Sequence, residues 1–110
     1  MDNQINDIMS ILQEECAEVI QIVSKIRRFG ELNFHPDTPN TTNLLRLHEE
    51  LGDVMAMIEL LAANDYIDMK HVHMLKHKKF DKLKLWSGID INYDKLGKSP
   101  GGEIGETQQT

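Results

Sequence analysis

Two pairs of carboxylates are spaced three residues apart in this chain. The pairs are Glu15 with Glu18 and Glu50 with Asp53. In an α-helix this spacing places both side chains on one face, one turn apart, with about 5–6 Å between their Cβ atoms. Four carboxylates gathered in a partly desolvated place repel one another, and hard oxygen ligands of this kind suit Mg²⁺ or Mn²⁺. The spacing therefore predicts a divalent metal site formed by two helices.

The placement of these acids on their helices distinguishes them from ordinary surface carboxylates. On a helical wheel, Glu15 lies inside an apolar arc and Glu18 lies at the edge of the same arc. The acids of the second pair interrupt an apolar arc in the same way. The neighbouring Glu14 and Glu49 point away from these arcs, so we expect them to face solvent and to tolerate substitution.

Lysines intrude on the apolar arcs in a similar manner. Lys76 and Lys79 lie inside the arc of a third helix, and Lys25 lies two turns beyond Glu18 on the first. Flexible ammonium groups beside a metal–carboxylate centre suit the phosphates of a nucleotide, so these three lysines are candidate phosphate ligands. Two alternatives stay open at this point. The lysines could snorkel with solvated ends, or the acids could form ion pairs with Lys25 and Arg46.

Three helices must carry these side chains. Apolar residues recur with the helical period over about 4–29, 43–63 and 69–86, and no segment alternates as a strand does. The expected N-caps are Asn3, Thr41 or Thr42, and Asp68, and the expected ends are Gly30 and the pair Asn64 and Asp65. We therefore predict an all-α fold, an antiparallel bundle of three main helices.

The predicted domain spans residues 1–86, and residues 87–110 form a glycine-containing extension that we expect to be flexible. The apolar arc of the first helix covers about half of its circumference, which is wider than a surface helix of a monomer needs. We therefore expect a homodimer or homotetramer, in which a second subunit completes the core.

Composition excludes several classes of protein. A net charge of −6 argues against a general nucleic-acid binder, which carries a basic surface. The single cysteine, Cys16, excludes an intramolecular disulfide and suits a reducing compartment. No apolar run approaches the roughly 18 residues of a membrane span, and the first residues do not resemble a signal peptide. We expect a soluble, cytoplasmic protein without a membrane partner.

Other catalytic patterns do not fit. No histidine follows a glutamate by three residues, as a di-iron bundle requires. His73 and His77 are four residues apart, but the glutamate of a zinc protease does not follow His73. The phosphate-binding pattern G-x-x-x-x-G-K-[ST] is not present either.

The segments EECAE (14–18) and ELGD (50–53) resemble the E-E-x-x-E … E-x-x-D signature of the MazG-like all-α nucleoside triphosphate pyrophosphohydrolases. Relatives of that family include dimeric dUTPases, dCTP pyrophosphatases and phosphoribosyl-ATP pyrophosphohydrolases. The longer segments LQEECAEVIQIVSKIRRFG and HEELGDVMAMIELL are similar to the short single-domain members, many of them phage-encoded. The resemblance covers about residues 4–86.

This resemblance implies Mg²⁺-dependent hydrolysis of (deoxy)nucleoside triphosphates, NTP + H₂O → NMP + PPi, by attack at the α-phosphate, with Mn²⁺ as a substitute ion. It implies that the metal ligands and catalytic residues are Glu15, Glu18, Glu50 and Asp53. Lys25, in the stretch SKIRRFG, and basic residues of the last helix would hold phosphates.

Recognition of the base is weakly encoded. Phe34, Trp86 and Tyr66 are candidates to stack on a base, and Asn43 and Asn40 are candidates to contact its edge, although each residue also suits ordinary packing or capping. The rival function is a non-catalytic helical oligomer that binds a nucleotide or a protein partner and uses its acids structurally.

Overall fold

The structure, a computed structural model, describes residues 2–97. Its elements are α1 (Asn3–Phe29), α2 (Asn43–Ala63), α3 (Met69–Trp86) and a single turn of 3₁₀-helix (Tyr93–Lys95). No strand of a sheet occurs within these described residues, although one isolated β-bridge joins Phe34 to Thr42. The prediction of an all-α fold with three main helices is confirmed. The last part of the extension that we expected to be flexible, residues 98–110, lies outside the described residues.

The helix starts follow from capping side chains. Asp2 caps α1, because its carboxylate accepts a hydrogen bond from the backbone N–H of Ile5 at 2.7 Å. Asn3, the predicted cap, is instead the first helical residue, so that prediction is wrong by one position. Thr42 and Asp68 cap α2 and α3 as predicted, each accepting a backbone N–H of the first turn.

Two residues at the helix ends, Gly30 and Asp65, adopt a positive φ. Gly30 ends α1 with φ 94° and ψ 158°, so the chain leaves the helix in an extended path that suits glycine rather than in the left-handed helical conformation. Asn64 ends α2, where its side-chain amide donates to the carbonyl of Leu60 at 2.8 Å. Asp65 follows with φ 58°, a left-handed conformation that aspartate tolerates better than most residues.

The chain divides into two compact units, Met1–Tyr66 and Ile67–Thr110. The first unit is a helical hairpin, in which α1 and α2 run antiparallel on either side of the loop 30–42. Among the described residues, the buried apolar side chains all belong to this unit: Ile5, Ile8, Ile22 and Leu61. Both α1 and α2 therefore bury apolar side chains within the hairpin.

The second unit contains α3 and the segment that follows it. The hydroxyl of Tyr93 donates to a carboxylate oxygen of Asp81 at 2.6 Å, and the ammonium group of Lys84 lies 5.5 Å from the centre of the Tyr93 ring. These contacts attach the 3₁₀ turn to the last two turns of α3. No helix within residues 2–97 is both long enough and apolar enough to cross a membrane.

Candidate functional site

Three carboxylates meet between α1 and α2. Glu15 of α1 and the two acids of α2, Glu50 and Asp53, each place an oxygen within 4.8 Å of the others. The two glutamates are half-buried, and Asp53 is exposed. The apolar periodicity of each helix turns these positions toward the facing helix, because they interrupt the arcs that pack in the hairpin. The arrangement offers oxygen ligands from two helices to a single ion.

Glu18 lies at the rim of this group. It is exposed and lines the same open depression as the three acids, but it does not belong to the tight triplet. We refer to Glu15, Glu50 and Asp53, with Glu18 at the rim, as the carboxylate cluster. Glu14 is exposed, as the wheel predicts, yet it also lines this depression.

Burial and the repulsion of neighbouring acids raise the pKa of Glu15 and of Glu50 within the cluster. The pKa of Glu15 is raised above its ordinary value of 4.5, first by partial burial and then by the negative charges of Asp53 and Glu18. The pKa of Glu50 is raised by partial burial and by the same two neighbours, and only Arg46 opposes this effect among the charged groups. The opposing charge of Arg46 does not offset burial and repulsion at Glu50, so the pKa of Glu50 stays raised.

The alternative of an ion-pair network is not supported. Within residues 2–97, no lysine or arginine nitrogen lies within 4.0 Å of a carboxylate of the cluster, and the ion pair that does occur joins His35 to Asp37 at 3.6 Å. The donor set consists of oxygens from acids, without histidine or cysteine. These residues fit a hard divalent cation such as Mg²⁺ or Mn²⁺, which takes oxygen ligands and neutralises their charge.

A cavity of about 430 Å³ lies at the loop end of the same hairpin. It is an open cavity lined by the end of α1, the loop 30–42 and the start of α2, and we call it the loop cavity. Its wall combines two cationic side chains, two phenylalanines and two side-chain amides, namely Lys25, Arg46, Phe29, Phe34, Asn33 and Asn43. Small-molecule sites have volumes of roughly 300–1,000 Å³, so this space suits a ligand of moderate size.

The structure brings three of the predicted contact residues into the loop cavity: Lys25, Phe34 and Asn43. Asn43 is buried, and its side-chain amide donates to the carbonyl of Gly30 at 3.0 Å, so this group closes the loop. Its predicted contact with a base stays a prediction.

Of the other predicted contact residues, Tyr66 and Asn40 do not line the cavity, and the rest belong to the second unit. Lys76 and Lys79 lie on α3, where the ammonium group of Lys76 is 3.4 Å from the Nδ1 atom of His73. Trp86 ends α3 with 84% of its surface exposed. Their roles toward phosphate and base stay predictions.

Seven residues that line the loop cavity were not predicted as ligand contacts: Phe29, Asn33, His35, Pro36, Thr38, Thr41 and Arg46. Arg46 precedes Glu50 by four residues, so the helical period that places Glu50 also indicates a shared face for the two side chains. Phe29 and Asn33 flank the turn at Gly30, where the chain has no period from which a side-chain direction can be deduced.

Comparison with known proteins gives one match. The model of the MazG nucleotide pyrophosphohydrolase domain matches residues 3–84, which include both helices of the hairpin and nearly all of α3. None of the curated proteins and none of the solved structures compared with the chain matches it.

Proposed function

The chain belongs to the MazG nucleotide pyrophosphohydrolase family, and we propose that it hydrolyses (deoxy)nucleoside triphosphates to the monophosphate and pyrophosphate in a reaction that depends on Mg²⁺. The observation that carries this proposal is the meeting of three carboxylates from two helices within 4.8 Å of one another. Family membership supplies the reaction class, and the cluster supplies the residues that would perform it.

Glu15, Glu50 and Asp53 would hold the ion, and Glu18 at the rim is placed to assist them. A bound Mg²⁺ supplies polarisation of a phosphoryl oxygen and lowers the pKa of a water molecule. Glu15 is our candidate for the group that takes the proton from the attacking water, because it is half-buried between the two helices and lies within the cluster. Water attacks the α-phosphorus, the bond to the bridging oxygen breaks, and pyrophosphate leaves.

The basic residues would hold the phosphates. Lys25 and Arg46 line the loop cavity, and their fixed positive charges favour the negative charge of the bound nucleotide. Lys76 and Lys79 of α3 are further candidates from the sequence pattern. The predicted cytoplasmic location follows from a nucleotide substrate and belongs to the same proposal.

We also propose that the active protein is a homodimer or homotetramer. Within residues 2–97 only four apolar side chains are buried, whereas Ile20 of α1 and Met55 of α2 are 71% and 69% exposed. Apolar surface of this extent is usually covered by a partner, and a second copy of the chain would cover it. Light scattering coupled to size-exclusion chromatography measures the mass directly, and a monomer at micromolar concentration would contradict this part of the proposal.

The reaction is tested by product analysis. The purified protein is incubated with each of the common NTPs and dNTPs, with Mg²⁺ or with EDTA, and the products are separated by ion-exchange chromatography. We expect a nucleoside monophosphate and pyrophosphate, and no turnover in EDTA. Nucleoside diphosphate and orthophosphate as products would exclude attack at the α-phosphate. Binding of nucleotide without turnover would favour the non-catalytic helical oligomer instead.

A further inference from the structure

The loop cavity is formed before any ligand binds. The backbone N–H of Asn43 donates to the carbonyl of Asn33 at 2.8 Å, and that of Leu44 donates to the carbonyl of Glu31 at 2.9 Å. The β-bridge between Phe34 and Thr42 holds the two sides of the loop together. A loop fixed in this way loses little conformational entropy when a ligand enters, which favours selective binding.

The chemistry of the hairpin changes in steps from the cluster to the loop. Arg46 lies four residues before Glu50, or about 6 Å along the helix axis, and Lys25 lies seven residues after Glu18, or about 10 Å. Beyond these cations come the phenylalanines and amides of the loop. Acids, then cations, then aromatic and amide groups match the order of metal, α-phosphate and nucleoside in a nucleotide that is hydrolysed at the α-phosphate.

Phe34 is the phenylalanine of the cavity wall that lies in the loop itself, whereas Phe29 ends α1 and is the more exposed of the two, at 56%. The side chain of Phe34 is 46% exposed, and among residues 2–97 no cation or second ring stacks on it. The ring of Phe29 is already covered on one face, because the guanidinium carbon of Arg28 lies 4.7 Å from its centre. Phe34 can therefore offer a face to a base, and such stacking contributes substantially to nucleotide binding.

Of the two amides in the cavity wall, Asn33 is the one available to a ligand. The nitrogen of the Asn43 amide is engaged with Gly30. Asn33 is exposed, and its side chain forms no hydrogen bond within the described part of the chain. An amide carries a donor and an acceptor side by side, so it can pair with a base edge that presents the complementary groups.

We propose that the loop cavity is the nucleoside site of the enzyme, where Phe34 stacks on the base and Asn33 discriminates between bases by hydrogen bonding to its edge. This inference rests on the proposed pyrophosphohydrolase function. It assigns substrate selection to the loop 30–42 and leaves the chemical step to the carboxylate cluster.

The stacking part is tested with Phe34→Ala, and Tyr66→Ala serves as the matched control. Tyr66 is 47% exposed, close to the value for Phe34, but it does not line the cavity. Stacking stabilises the bound substrate and the transition state equally. Its loss should therefore raise KM about tenfold and leave kcat nearly unchanged. Phe34→Trp should restore KM, and circular dichroism checks that every variant keeps its helix content.

The discrimination part is tested with Asn33→Asp, and Asn40→Ala serves as a control in the same loop outside the cavity wall. Asn33→Asp replaces the donor of the amide by an acceptor, so the order of kcat/KM values across the bases should change, which loss of loop structure alone would not do. Asn40→Ala should keep the wild-type order.

The results separate the two proposals. If the wild-type protein hydrolyses nucleotides but Phe34→Ala keeps KM within twofold for every base, or Asn33→Asp keeps the order of bases, the nucleoside assignment is wrong and the proposed function stands. If the wild-type protein hydrolyses no nucleotide, binding of nucleoside monophosphates is measured by calorimetry. Equal binding by wild type and Phe34→Ala would then overturn the assignment too.

Discussion

The carboxylate cluster and the loop cavity lie within one hairpin, yet they are held in place by different forces. The cluster stands on regular helix, and its acids are aimed by the helical period while their mutual repulsion opposes the folded state. The loop cavity has no period, and backbone hydrogen bonds and the amide of Asn43 fix its shape. The carboxylate cluster destabilises the fold that carries it. In the loop cavity, the contacts that stabilise the fold also give the site its shape.

This contrast indicates a division of labour between the two regions. A group that is destabilising in the absence of its ligand gains the most when the ligand arrives, which suits a metal site. A preformed wall of aromatic and amide groups changes little on binding, which suits selection among similar ligands. Changes to the cluster should therefore affect turnover and charge-dependent stability, and changes to the loop should affect binding and backbone-dependent stability.

The largest expected effect is on turnover. Glu50→Gln keeps the size of the side chain but removes a charged ligand of the cluster, so kcat should fall by more than about 100-fold, beyond the loss typical of residues that only support a ligand. Glu49→Gln changes the adjacent exposed residue and should keep near full activity. Initial rates at saturating nucleotide and Mg²⁺ measure both. Near-equal rates for the two variants would show that Glu50 matters no more to turnover than an exposed surface glutamate does.

A pair of glycines compares the backbones of the two regions. Neither Gly30 nor Gly52 has a heavy atom within 4 Å of an added Cβ, so substitution by alanine tests conformation alone. Gly30→Ala should destabilise the protein by about 1–3 kcal/mol, because φ 94° with ψ 158° is nearly exclusive to glycine. Gly52→Ala, in the interior of α2, should stabilise it by about 0.5–1 kcal/mol.

Urea unfolding monitored by circular dichroism measures both glycine variants, and the two midpoints should move in opposite directions. Gly30 is also the start of the loop, so Gly30→Ala should raise KM as well. Equal shifts of the two urea midpoints in the same direction would show that the backbone at Gly30 is not restricted to a conformation that requires glycine.

The smallest expected effect is the pH dependence of stability without metal. The folded protein binds a proton at Glu50 more tightly than the unfolded chain does, because the pKa is raised from 4.5. The associated stabilisation is complete below pH 4.5 and is lost as the pH rises through the folded-state pKa. In EDTA at pH 8, Glu50→Gln should therefore be more stable than wild type, by less than about 1 kcal/mol because solvent screens the half-buried group.

This difference should shrink as the pH is lowered to 5, while Glu49→Gln should follow the wild type throughout. Urea midpoints at four or five pH values measure the trend. A wild-type protein that is more stable than Glu50→Gln in EDTA at pH 8 would mean that the repulsion within the cluster is compensated by groups of the protein itself.

The helices and the cluster could be predicted from the sequence because both follow from one periodicity. The bounds of α2 and the caps Thr42 and Asp68 were correct for this reason. The cap of α1 was placed one residue too late, since Asp2 and Asn3 have similar capping chemistry and only the path of the chain selects between them. Glu14 lies four residues before Glu18 and so shares its side of the helix, which explains its place at the rim.

The loop cavity could be predicted only in part. Phe34 was proposed from its residue type, but the choice of Asn33 rather than Asn43 as the free amide depends on which of them reaches Gly30. That contact joins residues that are distant in sequence and requires the turn at Gly30, where no repeating pattern constrains the side chains. Irregular segments with tertiary hydrogen bonds are the part of a fold that sequence periodicity does not describe.

The origin of the cluster from two helices also bears on how the hairpin folds. Glu15 precedes the loop and Glu50 follows it, so an ion bound between them would join parts of the chain separated by the end of α1, the whole loop and the start of α2. Such a bond restricts the unfolded chain much as a covalent cross-link does, and its benefit grows with the length of chain enclosed. The same cation that would activate water would thus also cross-link the two helices reversibly. Removing it with a chelator would slow the folding step that brings the two helices together.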